Sequence, residues 1–252
     1  MLAVSPRRLG LASGWIVPLL AAISFCFCVA GDSSAQDPPP QLGPSALEKD
    51  PGGWVDLLAE AGPNLKGWAR GPIPPPPQGK LREPSQWKLD PSTGHLICEG
   101  DGGHEWLRWD RELGDAIFHV EWRYTAIEGK RGYNSGIYIR NSADASIWHQ
   151  AQIGDRSGGY LFGNSPTDGK PLAFNTNREG PRGMVRPAGE WNTTELTAKG
   201  KALTVWTNGA ETASWPDCRT PRGYVGLEAE GFRIEFRNVK LKSLDTRKEA
   251  RQ

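Results

Sequence analysis

The chain reads as all-β, a two-sheet antiparallel β-sandwich of the jelly-roll type, on three observations. Its 252 residues include 31 Gly and 21 Pro, a supply of turn formers that suits many short strands better than long helices. Apolar and polar residues alternate over short runs, and no long amphipathic pattern of helical period appears. Asn208-Gly209, between Ala202–Trp206 and Glu211–Trp215, is a hairpin signal, because both residues tolerate the positive φ of a type I′ turn.

Taken from the N-terminus, residues 1–36 read as an export signal. Arg7 and Arg8 precede an uncharged apolar stretch from Leu9 to Ala30, followed by Ser33-Ser34-Ala35, the layout of a secretory signal with a small-residue cleavage site. The expected location is periplasmic or extracellular. Uncleaved, the same stretch is long enough to anchor the chain in a bilayer, and this is the one membrane contact expected. After cleavage near Ala35 only Cys98 and Cys218 remain, either paired in an oxidising compartment or kept as buried thiols.

Residues 37–52, Pro-rich and polar, read as a disordered linker. Residues 53–245 form the expected sandwich domain and 246–252 a charged tail. Pro72-Ile73-Pro74-Pro75-Pro76-Pro77 lacks ladder donors and is expected as a surface loop inserted in the domain. Strands are expected near 86–90, 95–99, 104–109, 116–127, 134–140, 147–153, 191–198, 201–207, 210–215, 223–229 and 232–244.

The 30 basic and 29 acidic residues leave a net charge of +1, with no basic stripe, so nucleic acid is not an expected partner. The 11 Trp serve first as core residues, but they also offer flat faces for sugar rings. Strand parity sorts the polar residues. Phe118, Val120 and Trp122 point one way, His119, Glu121 and Arg123 the other. Ile137 and Ile139 oppose Asn134, Tyr138 and Arg140, with Gly136 leaving a gap through which something can approach the backbone. Gln150 and Gln152 share a face opposite Ala151 and Ile153, and Glu228 and Glu230 share one opposite Leu227 and Ala229. A solvated sheet face favours Lys, Glu and Thr. A face of Asn, Gln, Tyr and Arg beside a glycine is a hydrogen-bonding array suited to hydroxyl groups, so a carbohydrate-like ligand is expected.

Six segments in order resemble the bacterial 3-keto-disaccharide hydrolase family, over about Trp54 to Leu244. They are Asn64-Leu65-Lys66-Gly67-Trp68; Asn134-Ser135-Gly136-Ile137-Tyr138-Ile139-Arg140; Gln152-Ile153-Gly154-Asp155; Gly189-Glu190-Trp191-Asn192; Val205-Trp206-Thr207-Asn208-Gly209; and Phe236-Arg237-Asn238-Val239-Lys240-Leu241. The resemblance implies a concanavalin A-like sandwich and action on glycosides oxidised at C3 of one sugar. The ketone acidifies the C2 proton, so a base and a holder for the enolate oxygen suffice. The chain departs from the family pattern at Gln150, where an acid is expected, at Glu228, where an amide is expected, and at Glu230, where a His is expected. If their strands adjoin, the carboxylate has moved rather than vanished.

Catalytic candidates are therefore Glu228 and Glu230 first, then Glu121, Asp155 and His149, with Arg140 as clamp. The candidates for substrate binding are Asn134, Tyr138, Gln150, Gln152 and Arg123. His149 lies opposite Gln150 in parity, which fits a core histidine better. A divalent cation, Ca²⁺, Mg²⁺ or Mn²⁺, is the cofactor such donors suit, and the resemblance admits one. His104-Glu105 is the one His-acid cluster that could supply cation ligands, but beside Gly102 and Gly103 it reads as part of a turn. Two other readings stay open: a carbohydrate-binding module without turnover, and an ordinary β-glucanase, which would need an E-x-D-x-E strand that is not found.

Overall fold

The computed structural model describes residues 42–154, 158–167, 170–177 and 183–245. A short helix, α1 (Ala46–Lys49), is followed by strands β1 (Val55–Asp56), β2 (Trp68–Pro72), β3 (Trp87–Leu89), β4 (Leu96–Cys98), β5 (Glu105–Trp109), β6 (Ala116–Tyr124), β7 (Asn134–Asn141) and β8 (Trp148–Gly154). Then come β9 (Leu161–Thr167), β10 (Lys170–Asn175), β11 (Asn192–Lys199), β12 (Ala202–Thr207), β13 (Ala210–Trp215), β14 (Tyr224–Ala229) and β15 (Ile234–Ser243). The first sheet runs β13-β12-β11-β6-β15-β4-β3, with β1 on β15, and the second runs β10-β9-β8-β7-β14-β5-β2. The fold is thus the expected two-sheet antiparallel sandwich.

The alternation read from the sequence fills the space between the sheets. Phe118, Val120, Trp122, Leu196, Val205 and Phe236 from the first sheet meet Ile137, Ala151, Ile153, Leu161, Leu227 and Ala229 from the second, all buried in one cluster. Each large side chain so buried contributes about 1.5–3 kcal/mol. The hairpin turn is where it was expected, with Asn208 and Gly209 both at positive φ.

Two features differ from the sequence reading. Strands β9 and β10 carry Gly163, Pro166 and Pro171, which conceal a strand pattern; β10 is an edge strand, where a missing N–H is tolerated. The linker over 37–52 is not unstructured in its described part. Ser45 caps α1 in a capping box with Glu48, and Glu195 of β11 accepts from Ala46 N at 2.6 Å and Leu47 N at 3.1 Å. A carboxylate on the otherwise free N–H groups of a first helical turn is a stabilising arrangement, so the folded body begins before Gly53.

Cys98 and Cys218 are both free and buried. The expected signal over 1–36 and tail over 246–252 lie outside the described residues. No helix among the described residues is long and apolar enough to cross a membrane.

Candidate functional site

The outward face of the second sheet carries a cleft of about 660 Å³, within the range that buries a drug-sized ligand. Strand β14 supplies Glu228 to its floor and the turn after it Glu230, β7 supplies Asn134 and Tyr138, and β8 supplies Trp148, Gln150 and Gln152. Alternation places all the strand residues opposite the core set Ile137, Ala151, Ile153 and Leu227.

Glu228 is the hub. Its Oε1 accepts from the Tyr138 hydroxyl at 2.6 Å and lies 2.8 Å from His104 Nε2, while its Oε2 accepts from Gln150 Nε2 at 2.7 Å. The expectation that Gln150 and Glu228 adjoin is therefore met. A Cβ on Gly136 would lie 2.1 Å from Gln150 Nε2. The gap at Gly136 thus admits the Gln150 side chain, which crosses β7 to reach Glu228. Burial, then the Glu228 charge, holds the Tyr138 hydroxyl well above its ordinary pKa, so it stays a donor.

Glu230 differs from its neighbour. It lines the cleft half-buried and has no hydrogen-bond partner among the described residues. Burial, then the Glu228 charge, raises its pKa, against the opposing pull of His104. Burial alone would favour neutral His104, but Glu228 outweighs it, and the His104 pKa lies above the usual value. Gln152 Nε2 donates to Asn134 Oδ1 and to Ser135 O. Asn134 Nδ2 and Gln152 Oε1 have no partner among the described residues, a donor and an acceptor available to ligand hydroxyls.

His104, Glu228 and Glu230 bring one ligand atom each within 4.8 Å of one another. Two carboxylates and an imidazole suit Mn²⁺ or Mg²⁺, and Ca²⁺ with added oxygen ligands. Among the described residues lining the cleft there is no Lys or Arg, and His104 alone stands against the two acids. The donor set fits a divalent cation.

The structure does not gather the other candidates here. Glu121 and Arg123 face outward, as parity requires, but on β6 of the first sheet. There Arg237 and Asn238 hold Glu121, and Arg123 pairs with Glu235 at 2.9 Å. Arg140 is buried away from the cleft: its φ of 54° marks a bulge, where the three steps of β7 from Tyr138 to Asn141 face the two of β14 from Gly226 to Tyr224. A bulge re-aims its side chain, and Arg140 reaches toward the first sheet, to Gly200 O and Asp115 Oδ1 at 2.6 Å each. It cannot serve as the clamp. His149 is a core histidine, 3.0 Å from Ser165 Oγ, its pKa lowered to about 4 by burial. Asp155 lies outside the described residues.

Several lining residues were discounted or missed in the sequence. His104 shares the parity of Trp106 on β5, a usable signal that Gly102-Gly103 obscured. Trp148 shares the parity of Gln150 and Gln152. Tyr160 and Phe162 belong to the unread β9 region, and Ile73, Pro74 and Pro75 of the proline-rich loop also line the cleft. Glu105, paired with Arg70 at 2.9 Å, is a buried structural acid.

Similar solved structures share this architecture. A carbohydrate-binding module, CBM66, from Bacillus subtilis is 13% identical, with 71% of this chain and 98% of that chain covered at a TM-score of 0.50. A "putative glycosyl hydrolase" from Parabacteroides distasonis is 17% identical, with 81% and 100% covered at 0.53. A second from the same organism is 17% identical, with 76% and 99% covered at 0.51. At such identities the likeness is one of fold. A search of curated proteins gives no match. Residues 53–242 match the family described as the 3-keto-alpha-glucoside-1,2-lyase-like domain. That span includes both sheets and every described residue of the cleft, and the chain belongs to this family.

Proposed function

We propose that the cleft binds a glycoside already oxidised to a ketone at C3 and cleaves it by elimination, with Glu230 as the base. The observation that carries this reading is the cluster of Glu228, Glu230 and His104 beside hydroxyl-binding amides in one cleft, with no Lys or Arg among its described lining residues. Glu228 already accepts two hydrogen bonds and faces His104. It fixes Tyr138, Gln150 and His104 in place, and Glu230 is the carboxylate left to take a proton. Burial and the neighbouring charge bring its pKa up toward the working range of a general base.

Glu230 removes the proton from C2, and the electron pair moves into the C3 carbonyl. As the ketone re-forms, C1=C2 forms and the C1–O bond breaks. The departing oxygen takes the proton back, and water then adds OH to C1 and H to C2. Asn134 and Gln152 orient the sugar hydroxyls. A divalent cation held by His104, Glu228 and Glu230 would stabilise the negative charge developing on the ketone oxygen. A carboxylate has two oxygens, so ligation through one leaves the other to accept a proton.

The test is release of aglycone from a 3-keto-glycoside. Wild-type protein releases it, and Glu230→Gln releases it about 10²–10⁴-fold more slowly. Calorimetric titration with Mn²⁺ tests the cation separately: it binds the wild type and not His104→Ala. The second reading, a carbohydrate-binding module without turnover, is favoured by Gln150, an amide where the family resemblance leads one to expect an acid. Binding with no release of aglycone selects it.

A further inference from the structure

Across the second sheet the cleft changes character. Glu228 and Glu230 belong to β14 and the turn beyond it, Asn134, Tyr138, Gln150 and Gln152 to β7 and β8, and Phe162 to β9. From β14 to β9 is three strand spacings, about 14 Å. That is longer than one pyranose ring, so a sugar seated at the acids leaves the far end for whatever is attached to it. At that end Trp148 and Phe162 meet edge to face, with centroids 5.1 Å apart at 86°, and Tyr160 lies 5.5 Å from Phe162 at 42°. All three rings are partly exposed and line the cleft, and none belongs to the core cluster. They are an aromatic wall open to the ligand.

The hydrogen-bonding groups decide what that wall suits. Amide and carboxylate groups, which bracket pairs of sugar hydroxyls, stop at β8 among the lining residues. At the wall the described lining residues offer only the Trp148 indole N–H and the Tyr160 hydroxyl. A second sugar would have most of its hydroxyls unpaired there, at a cost. A flat apolar group would bury its faces against the rings.

We infer that Trp148, Phe162 and Tyr160 form a leaving-group subsite that selects glycosides of planar aromatic aglycones over disaccharides and small alkyl glycosides. The placement of the sugar at the acid end rests on the function proposed above; the aromatic wall does not. The test therefore uses unoxidised ligands, which need no turnover. Phenyl, methyl and glucosyl glucosides of both anomers are titrated calorimetrically into the full chain. Phenyl glucoside is expected to bind at least about tenfold more tightly than the other two. In Trp148→Ala and Phe162→Ala its advantage over methyl glucoside, measured within each variant, falls to about twofold. Trp148→Phe keeps a ring and retains most of the preference, which separates loss of the wall from loss of the fold. A disaccharide that binds as tightly as the phenyl glucoside overturns the inference. So does a preference unchanged in both alanine variants, or no binding by any of the three. A phenyl preference in a protein that turns over no 3-keto-glycoside would sink the elimination reading and leave the subsite standing.

Discussion

The outward faces of the two sheets carry the same kinds of residue to opposite ends. On the first sheet His119 lies 2.8 Å from Glu195 and 4.0 Å from Glu121. Glu195 also accepts two backbone N–H groups of α1, and Glu121 is held by Arg237 and Asn238. The pull of nearby His119 first, and then hydrogen bonds from Asn238 and Arg237 against the cost of burial, lower Glu121 to about 2. On the second sheet Glu228 and Glu230 lie beside His104 with no Arg or Lys among the described residues of the cleft, and the pKa of Glu230 rises. In the first cluster both acids are tied to cations, an amide or backbone N–H groups, whereas in the second Glu230 has no hydrogen-bond partner among the described residues. Two carboxylates and a histidine do not mark a site; what matters is whether the fold has already satisfied them.

The sharpest way to break this contrast is to neutralise one acid on each face. Glu230→Gln is expected to slow aglycone release about 10²–10⁴-fold, while Glu121→Gln leaves the rate within about twofold. Equal losses would mean that the faces do not differ in function.

Next in size is acid sensitivity. His149 has a pKa of about 4 in the fold against an ordinary 6.5, so the unfolded chain binds a proton first. Its contribution to stability is complete above pH 6.5 and is lost as pH falls through 4, on the order of 3 kcal/mol in all. Urea unfolding of His149→Gln should lack that slope between pH 6.5 and 4. An unchanged slope would place the acid sensitivity elsewhere, Glu121 being next in line between pH 4.5 and 2.

A smaller effect is expected at Gly136. Gly136→Ala displaces the Gln150 amide from Glu228, lowering turnover roughly tenfold at a stability cost of about 1 kcal/mol. Full activity would show that Gln150 need not hold Glu228. The smallest is Ser45→Ala, which removes the cap on the Glu48 N–H and is expected to cost about 1 kcal/mol and to speed amide exchange at Glu48 without changing turnover. Unaltered exchange there would mean that α1 is held by other contacts.

Much of this was legible in the sequence because parity is robust within a regular strand. The core set, the hairpin at Asn208-Gly209 and the shared face of Gln150 and Gln152 all follow from a period of two. Parity tells in from out, but not which of two outward faces a residue occupies. Glu121 and Arg123 are outward as expected, on the sheet without the cleft. It also fails at a bulge: the positive φ of Arg140 is invisible in Asn134–Asn141, and it turns the expected clamp into a buried strut. His104 was hidden by its glycines, and β9 by Gly163 and Pro166. Side-chain reach is not legible at all, so the contact of Gln150 with Glu228 rested on the family resemblance.

The most direct measurement follows hydrogen at C2. A 3-keto-glycoside is incubated with the protein in D₂O and its products are read by NMR. Elimination by Glu230 followed by addition of water predicts aglycone release with deuterium at C2, and loss of both in Glu230→Gln. Aglycone release with the C2 proton retained, or a ligand that binds and returns unchanged, would contradict it.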